Sequence, residues 1–165
     1  MRLREFVESD VDALQAVLGD PVAMQYYPAP FDRQGVEAWI TKNRDRYQRD
    51  GYGLWAMLLK DTGELIGDCG CTVQEVEGRN EVEVGYHVRR DLWGKGYATE
   101  AARACMEYAF AKLGAERVIS MIRPENVPSK RVAEKNGLTC EKIVFWHGYD
   151  HCIYVRSNEL RFRST

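Results

Sequence analysis

Arg89-Arg90-Asp91-Leu92-Trp93-Gly94-Lys95-Gly96-Tyr97-Ala98-Thr99-Glu100 is the stretch whose reading decides the fold of this chain. It follows a strand-like segment, Glu81 to Val88, and opens a helix-like one. Glycines in such a turn let the backbone come close to a ligand, because no Cβ stands in the way. The first amides of a helix lack internal partners, and the helix dipole makes that end partly positive. A strand, a Gly-rich turn and a helix start therefore form an anion cradle. The anion that suits it is a pyrophosphate, which points to a nucleotide-like cofactor.

On the upstream side the signals are mostly those of strands. In Glu81 to Val88, Val82, Val84, Tyr86 and Val88 alternate with Glu81, Glu83, Gly85 and His87, so each set takes one face. The polar segment Glu77-Gly78-Arg79-Asn80 reads as the turn before it. Leu65 to Val76 and Gly53 to Leu59 read as two strands of a hairpin, joined by the turn Lys60-Asp61-Thr62-Gly63-Glu64. Further back, a helical region spans about Asp32 to Gln48, with Val36, Trp39, Ile40 and Tyr47 as its apolar positions. A shorter helix carries Val11, Leu14, Val17 and Leu18, with Ser9 as its expected cap. Leu3 to Val7 alternates as a first strand.

Downstream, Ala98, Ala101, Ala102, Cys105, Ala109 and Leu113 recur at helical spacing, and this helix ends near Gly114. Arg117 to Ile122 is a β-branched strand. Asn126 caps a shorter helix that stops at Asn136-Gly137. Two last strands, about Leu138 to Trp146 and His151 to Ser157, flank a turn at Gly148-Tyr149-Asp150. Hairpins followed by alternating strands and helices predict an α+β fold of mixed α/β character, with a central mixed, twisted sheet of about seven strands and about four helices. The unit from Glu81 to Ile122 is expected to be a right-handed parallel crossover.

A length of 165 residues suits one domain, taken as 1–165. Hydrophobic residues at 45% and charged residues at 29% are ordinary for a globular protein. A net charge of −2 gives no reason to expect nucleic-acid or membrane binding. The N-terminal residues lack the apolar core of a signal peptide, and no segment approaches the roughly 20 apolar residues of a membrane span. The five cysteines, Cys69, Cys71, Cys105, Cys140 and Cys152, show no disulfide framework and are expected to be reduced. A cytoplasmic protein is the expectation.

Two nucleotide motifs fail at the turn. A dinucleotide fingerprint needs a third glycine where Thr99 stands, and comes early in its chain. A phosphate loop of the nucleoside-triphosphatase kind needs Gly-Lys followed by Ser or Thr. His147 and His151 sit four apart, but on a strand–turn–strand segment, and Cys69-x-Cys71 lacks a matched second pair, so no metal is expected.

Three segments in order, Glu83-Val84-Gly85-Tyr86, Trp93 to Ala101, and Asn126-Val127-Pro128-Ser129 with Glu134-Lys135-Asn136-Gly137-Leu138, resemble the GNAT N-acetyltransferases. The resemblance is nearest to the branch of the Rim-type ribosomal-protein N-terminal acetyltransferases, where an aromatic at the position of Trp93 is common. It covers nearly the whole chain. It implies acetyl-coenzyme A as cofactor, a sheet splayed at the cofactor site, and relatives that are commonly homodimers. It implies that Trp93, Gly94, Lys95, Gly96, Tyr97, Ala98 and Thr99 hold the pyrophosphate. Tyr86, His87 and Val88 match the strand segment that binds the pantetheine arm, and Asn126 matches a residue that contacts it. Lys95, Lys130 and Arg131 are candidates to meet the coenzyme's phosphates, or else form a solvated basic surface.

The activity so implied is transfer of the acetyl group to a primary amine, on a small molecule or a protein N-terminus, by direct attack. Ala133 stands where many relatives place a tyrosine acid, and Ser129 takes the acid role by resemblance to the Rim-type branch. A serine there is equally a helix cap. An amine must lose a proton before attacking, so a base is needed. Glu83, acting through water, is the first choice and His87 the second, while the plain alternative for Glu83 is a cross-strand surface charge. Tyr26, Tyr27 and Phe31 match the region that lines the acceptor site, or else pack as a loop. The missing tyrosine keeps open a second reading, a non-catalytic acyl-coenzyme A binding or sensor module.

Overall fold

The computed structural model describes residues 1–159. Among them are seven strands and four α-helices: β1 (Arg2–Arg4), α1 (Val11–Leu18), α2 (Arg33–Asp50), β2 (Leu54–Leu58), β3 (Leu65–Val76), β4 (Arg79–Val88), α3 (Tyr97–Ala111), β5 (Arg117–Ile122), α4 (Val127–Lys135), β6 (Thr139–Trp146) and β7 (Tyr149–Ser157). The strands join in one mixed sheet in the order β1-β2-β3-β4-β5-β7-β6. This is the expected α+β class. The chain divides into two compact units, one of Met1–Gly70 with Tyr86–Ala101, the other of Cys71–Gly85 with the residues from Ala102 onward.

In the first unit β1 and β2 pair antiparallel, with Arg2 opposite Leu58, and β2 pairs antiparallel with β3, with Leu54 opposite Gly70. Phe6, Leu14, Val17, Leu18, Val36, Ile40, Ala56 and Leu58 form its core, so the apolar stripes of α1 and α2 meet one face of the strands. Asp32 caps α2 by accepting the Gly35 amide at 2.7 Å. Ser9 does not cap α1: the helix starts after Asp10, whose side chain makes no cap bond to it either. The chain makes a 3-10 turn at Glu8–Asp10 before α1, and the Asp10 carboxylate accepts the Val7 amide at 2.9 Å. Arg4 grips the same carboxylate with both terminal nitrogens, at 2.7 and 2.8 Å, which ties that turn to β1.

In the second unit β4 and β5 run parallel, with Glu83 opposite Ile119, as the crossover requires. Just past that register the Ser120 hydroxyl donates to the Val84 carbonyl at 2.8 Å. β7 pairs antiparallel with β5 and with β6. Val76, Ile119, Val144 and Ile153 form the core. Both hairpin turns are tighter than the sequence reading. Glu77 and Gly78 (φ 50° and 77°) alone join β3 to β4, and His147 and Gly148 (φ 48° and 87°) alone join β6 to β7. Two-residue turns with positive φ match the strand twist, so residues 79–80 and 149–150 enter the ladders.

Candidate active site

The Gly-rich turn is anchored before it is shaped. Arg89 bonds Asp91 at 2.7 Å and Glu64 at 2.5 Å. The Asp91 and Glu64 carboxylates hold its guanidinium above the usual arginine range. Arg90 pairs with Asp20 at 3.1 Å. The Trp93 indole donates to the Val88 carbonyl at 2.8 Å, which ties the turn to the end of β4. Gly94 and Gly96 then take left-handed φ of 75° and 85°, conformations that a side chain resists. A Cβ at either position would meet nothing within 4 Å, so the turn faces open space. The Glu100 amide bonds the Gly96 carbonyl at 3.0 Å, closing the first helical turn of α3 directly after the glycines. Open left-handed glycines feeding a helix N-terminus are what a pyrophosphate cradle demands.

Three of the first unit's side chains, Asp68, Trp39 and Tyr27, meet at His87. Its Nδ1 lies 2.7 Å from Asp68 Oδ1 on β3. The Trp39 indole, from α2, donates to Asp68 Oδ2 at 2.9 Å. The Tyr27 ring lies 5.1 Å from the imidazole and the Trp39 ring 5.9 Å from it. Phe31 packs edge-on against Trp39 at 5.5 Å. So Tyr27 and Phe31 belong to one aromatic group with Trp39 and His87. Tyr26 is half-buried.

Asp68 and Trp39 were not among the residues singled out. The signal for Asp68 was present: it is the lone charge in Leu65 to Val73, a run otherwise apolar or small. A carboxylate with a side chain 0% exposed needs partners, and the structure supplies two.

The second unit holds the other candidates. Glu83 is half-buried and takes a contact from the Thr72 hydroxyl at 3.4 Å. The Asn126 side chain accepts the Ser129 amide at 3.2 Å, so Asn126 is the cap of α4 and Ser129 supplies its backbone to that cap. Lys130 Nζ donates to the Pro124 carbonyl at 3.2 Å. Ala133 is 2% exposed and packs inward. Trp146 carries both His147 and His151 against its ring, at 3.8 and 5.5 Å. A cavity of about 350 Å³ in this unit is lined by Glu77, Arg79, Glu81, Arg117, Glu141 and Lys142, together with Val76 and Ile153, and contains none of the expected site residues.

All five cysteines are free thiols. Burial pushes the Cys71 thiol well above its ordinary value, and burial with the neighbouring Cys140 raises Cys152. Neither is a ready nucleophile.

The chain has counterparts among known proteins. An acetyltransferase (GNAT) domain profile matches residues 1–139. The chain belongs to the GNAT acetyltransferase family. This GNAT chain is 37% identical to the Bacillus subtilis protein YkkB over 159 residues, 96% of this chain and 92% of that one. It is 32% identical to the B. subtilis N-acetyltransferase YnaD over 140 residues, 84% of this chain and 79% of the relative. Among solved structures, a GNAT-family acetyltransferase from Bacillus anthracis superposes with a TM-score of 0.79 at 27% identity, covering 94% of this chain and 93% of the other.

Proposed function

We propose that the chain, as one domain over 1–165, moves an acetyl group from acetyl-coenzyme A to a primary amine by direct attack. The observation that carries this reading is the anchored turn, where two open left-handed glycines lead into the first turn of α3. Bound there, acetyl-coenzyme A supplies a thioester carbonyl for the amine and a thiolate as leaving group.

The chain's own residues would do the rest. The amides of Trp93 through Thr99 hold the pyrophosphate, and Lys95 and Lys130 add positive charge. Tyr86, His87 and Val88 offer backbone groups to the pantetheine arm and polarise the carbonyl as oxyanion donors do. Asn126 meets the same arm. Ser129 gives the proton that the thiolate takes up. Asn126 already fills the capping role, which favours the hydroxyl reading of Ser129. Glu83 or His87 receives the amine's proton, and Tyr27, Phe31 and Tyr26 meet the acceptor. Free thiols throughout suit a cytoplasmic setting. No helix among the described residues is long and apolar enough to cross a membrane.

Thiol release over an amine panel that includes both small-molecule amines and N-terminal peptides tests the reading. Turnover with at least one amine is expected. A melting shift worth about 2.7 kcal/mol at 100 times the dissociation constant of acetyl-coenzyme A is also expected. No shift sinks the reading. A shift without turnover of any amine favours a sensor.

A further inference from the structure

We infer that Asp68 is a positioning residue for His87, and that the two, locked by Trp39, form the unit that takes the acceptor's proton. The inference rests on the acetyl-transfer reading above and chooses His87 over Glu83 as its base.

The geometry starts from the backbone. Gly67 lets β3 approach β4 so closely that a Cβ there would stand 2.0 Å from the His87 carbonyl oxygen. The Arg89 amide bonds the Ile66 carbonyl at 2.8 Å, fixing the register around it. Asp68, next on β3, then meets the imidazole of His87 edge-on at 2.7 Å. A carboxylate only accepts, so Nδ1 carries the hydrogen and Nε2 is left as the basic nitrogen. The Trp39 indole occupies the second carboxylate oxygen at 2.9 Å, so Asp68 cannot swing away without losing a buried bond. The titratable groups facing the ring among the described contacts are Asp68 from β3 and the Tyr27 phenol from the loop before α2, while α2 itself presents the Trp39 indole. His87 is 10% exposed at its side chain, enough shielding to strengthen the pair and enough opening to be reached.

The Thr72 hydroxyl contacts Glu83 at 3.4 Å, a longer approach than the 2.7 Å between Asp68 and His87. A base oriented by a buried carboxylate is the arrangement that general-base catalysis rewards, since one tautomer and one ring orientation are held before the substrate arrives. The proton balance is simple. The acceptor ammonium gives one proton to His87 Nε2, and its nitrogen forms the C–N bond as the C–S bond breaks. The nitrogen sheds a second proton and the leaving thiolate takes one up. The net products are an amide, a free thiol and one proton.

The test is a pH series of thiol release with an amine that the wild-type protein turns over, run on wild type, Asp68→Asn and His87→Gln, with the acetyl-coenzyme A melting shift measured for each. Both variants should keep the melting shift. Their kcat should fall about 100-fold or more, with the amine KM changed by less than about threefold. The acid limb of the profile should vanish in His87→Gln. It should move to lower pH in Asp68→Asn, because removing a negative charge beside the ring makes it a weaker base. An unchanged kcat and acid limb in His87→Gln overturns the inference, as does an Asp68→Asn protein whose kcat falls while its limb stays in place. Should Asp68→Asn fail to fold, His87→Gln decides alone. Wild-type protein inert toward every amine would instead strike the acetyl-transfer reading itself, and the inference with it.

Discussion

Gly67 and His87 are in such close backbone contact that a β-carbon on residue 67 would lie 2.0 Å from the His87 carbonyl oxygen and 3.1 Å from the Val88 Cα. Neither neighbour is a flexible side chain, so Gly67→Ala must push β4 away. A cost of about 2–3 kcal/mol is expected in urea denaturation. Gly70→Ala makes a fair companion, because its Cβ would meet the Gly53 carbonyl at the same distance, on the β2 side. It should destabilise similarly yet spare turnover more than Gly67→Ala does. Equal losses of turnover would sever the link between the Gly67 contact and the histidine.

The turn glycines should separate conformation from ligand. Gly94→Ala and Gly96→Ala place a Cβ in open space at φ 75° and 85°, so the penalty is backbone strain of about 1 kcal/mol each. Gly63→Ala, at φ 72° and equally open, should carry the same penalty. Calorimetric melting with and without acetyl-coenzyme A distinguishes them: the two turn variants lose the ligand-induced shift, and Gly63→Ala keeps it. Retention of the full shift by both turn variants would move the cofactor elsewhere.

Asp10 makes the fold acid-sensitive. Burial pushes its carboxyl up, but the Arg4 hydrogen bonds, the Val7 amide and the Arg4 charge outweigh that and hold it below the ordinary value of 3.8. A folded value below the unfolded one means the stabilisation is present above about pH 4 and is lost as pH falls through the depressed folded value. Asp10→Asn should therefore be less stable at neutral pH and lose less on acidification. Parallel acid-unfolding curves for the two proteins would contradict this.

Glu81 and Arg117 form the ion pair on which the second unit depends most. Glu81 is 6% exposed and Arg117 21%, and they meet at 2.5 Å. Glu81, with Glu141, holds the guanidinium above the usual arginine range. Glu81→Ala leaves a largely buried cation with only the more exposed Glu141 carboxylate for a salt-bridge partner, at an expected loss of about 2 kcal/mol. The exposed pair of Arg33 with Asp12 should contribute far less when Asp12→Ala is measured the same way. Similar losses from the two substitutions would refute this ranking.

Local signals read well in this chain where the physics is local. β3 begins and ends at Leu65 and Val76 as its apolar run does, β5 spans Arg117–Ile122, and Asn126 caps α4 with its own side chain. They fail at Ser9, because a 3-10 turn takes up Glu8–Asp10 and α1 starts only after it. They fail at Glu77-Gly78 and His147-Gly148, because turn length is set by strand register. Trp39 reads as one more apolar position of α2, and Asp68 as a lone charge in an apolar run, until the contact between them is known.

By itself the sequence determined the elements, the mixed sheet and the glycine turn that opens α3, since periodicity, caps and left-handed glycines act within a few residues of one another. Only the tertiary structure decided that residues 39, 68 and 87 share one buried hydrogen-bonded group. That choice depends on strand register and on how closely Gly67 lets two backbones approach, and no periodicity in the chain encodes either.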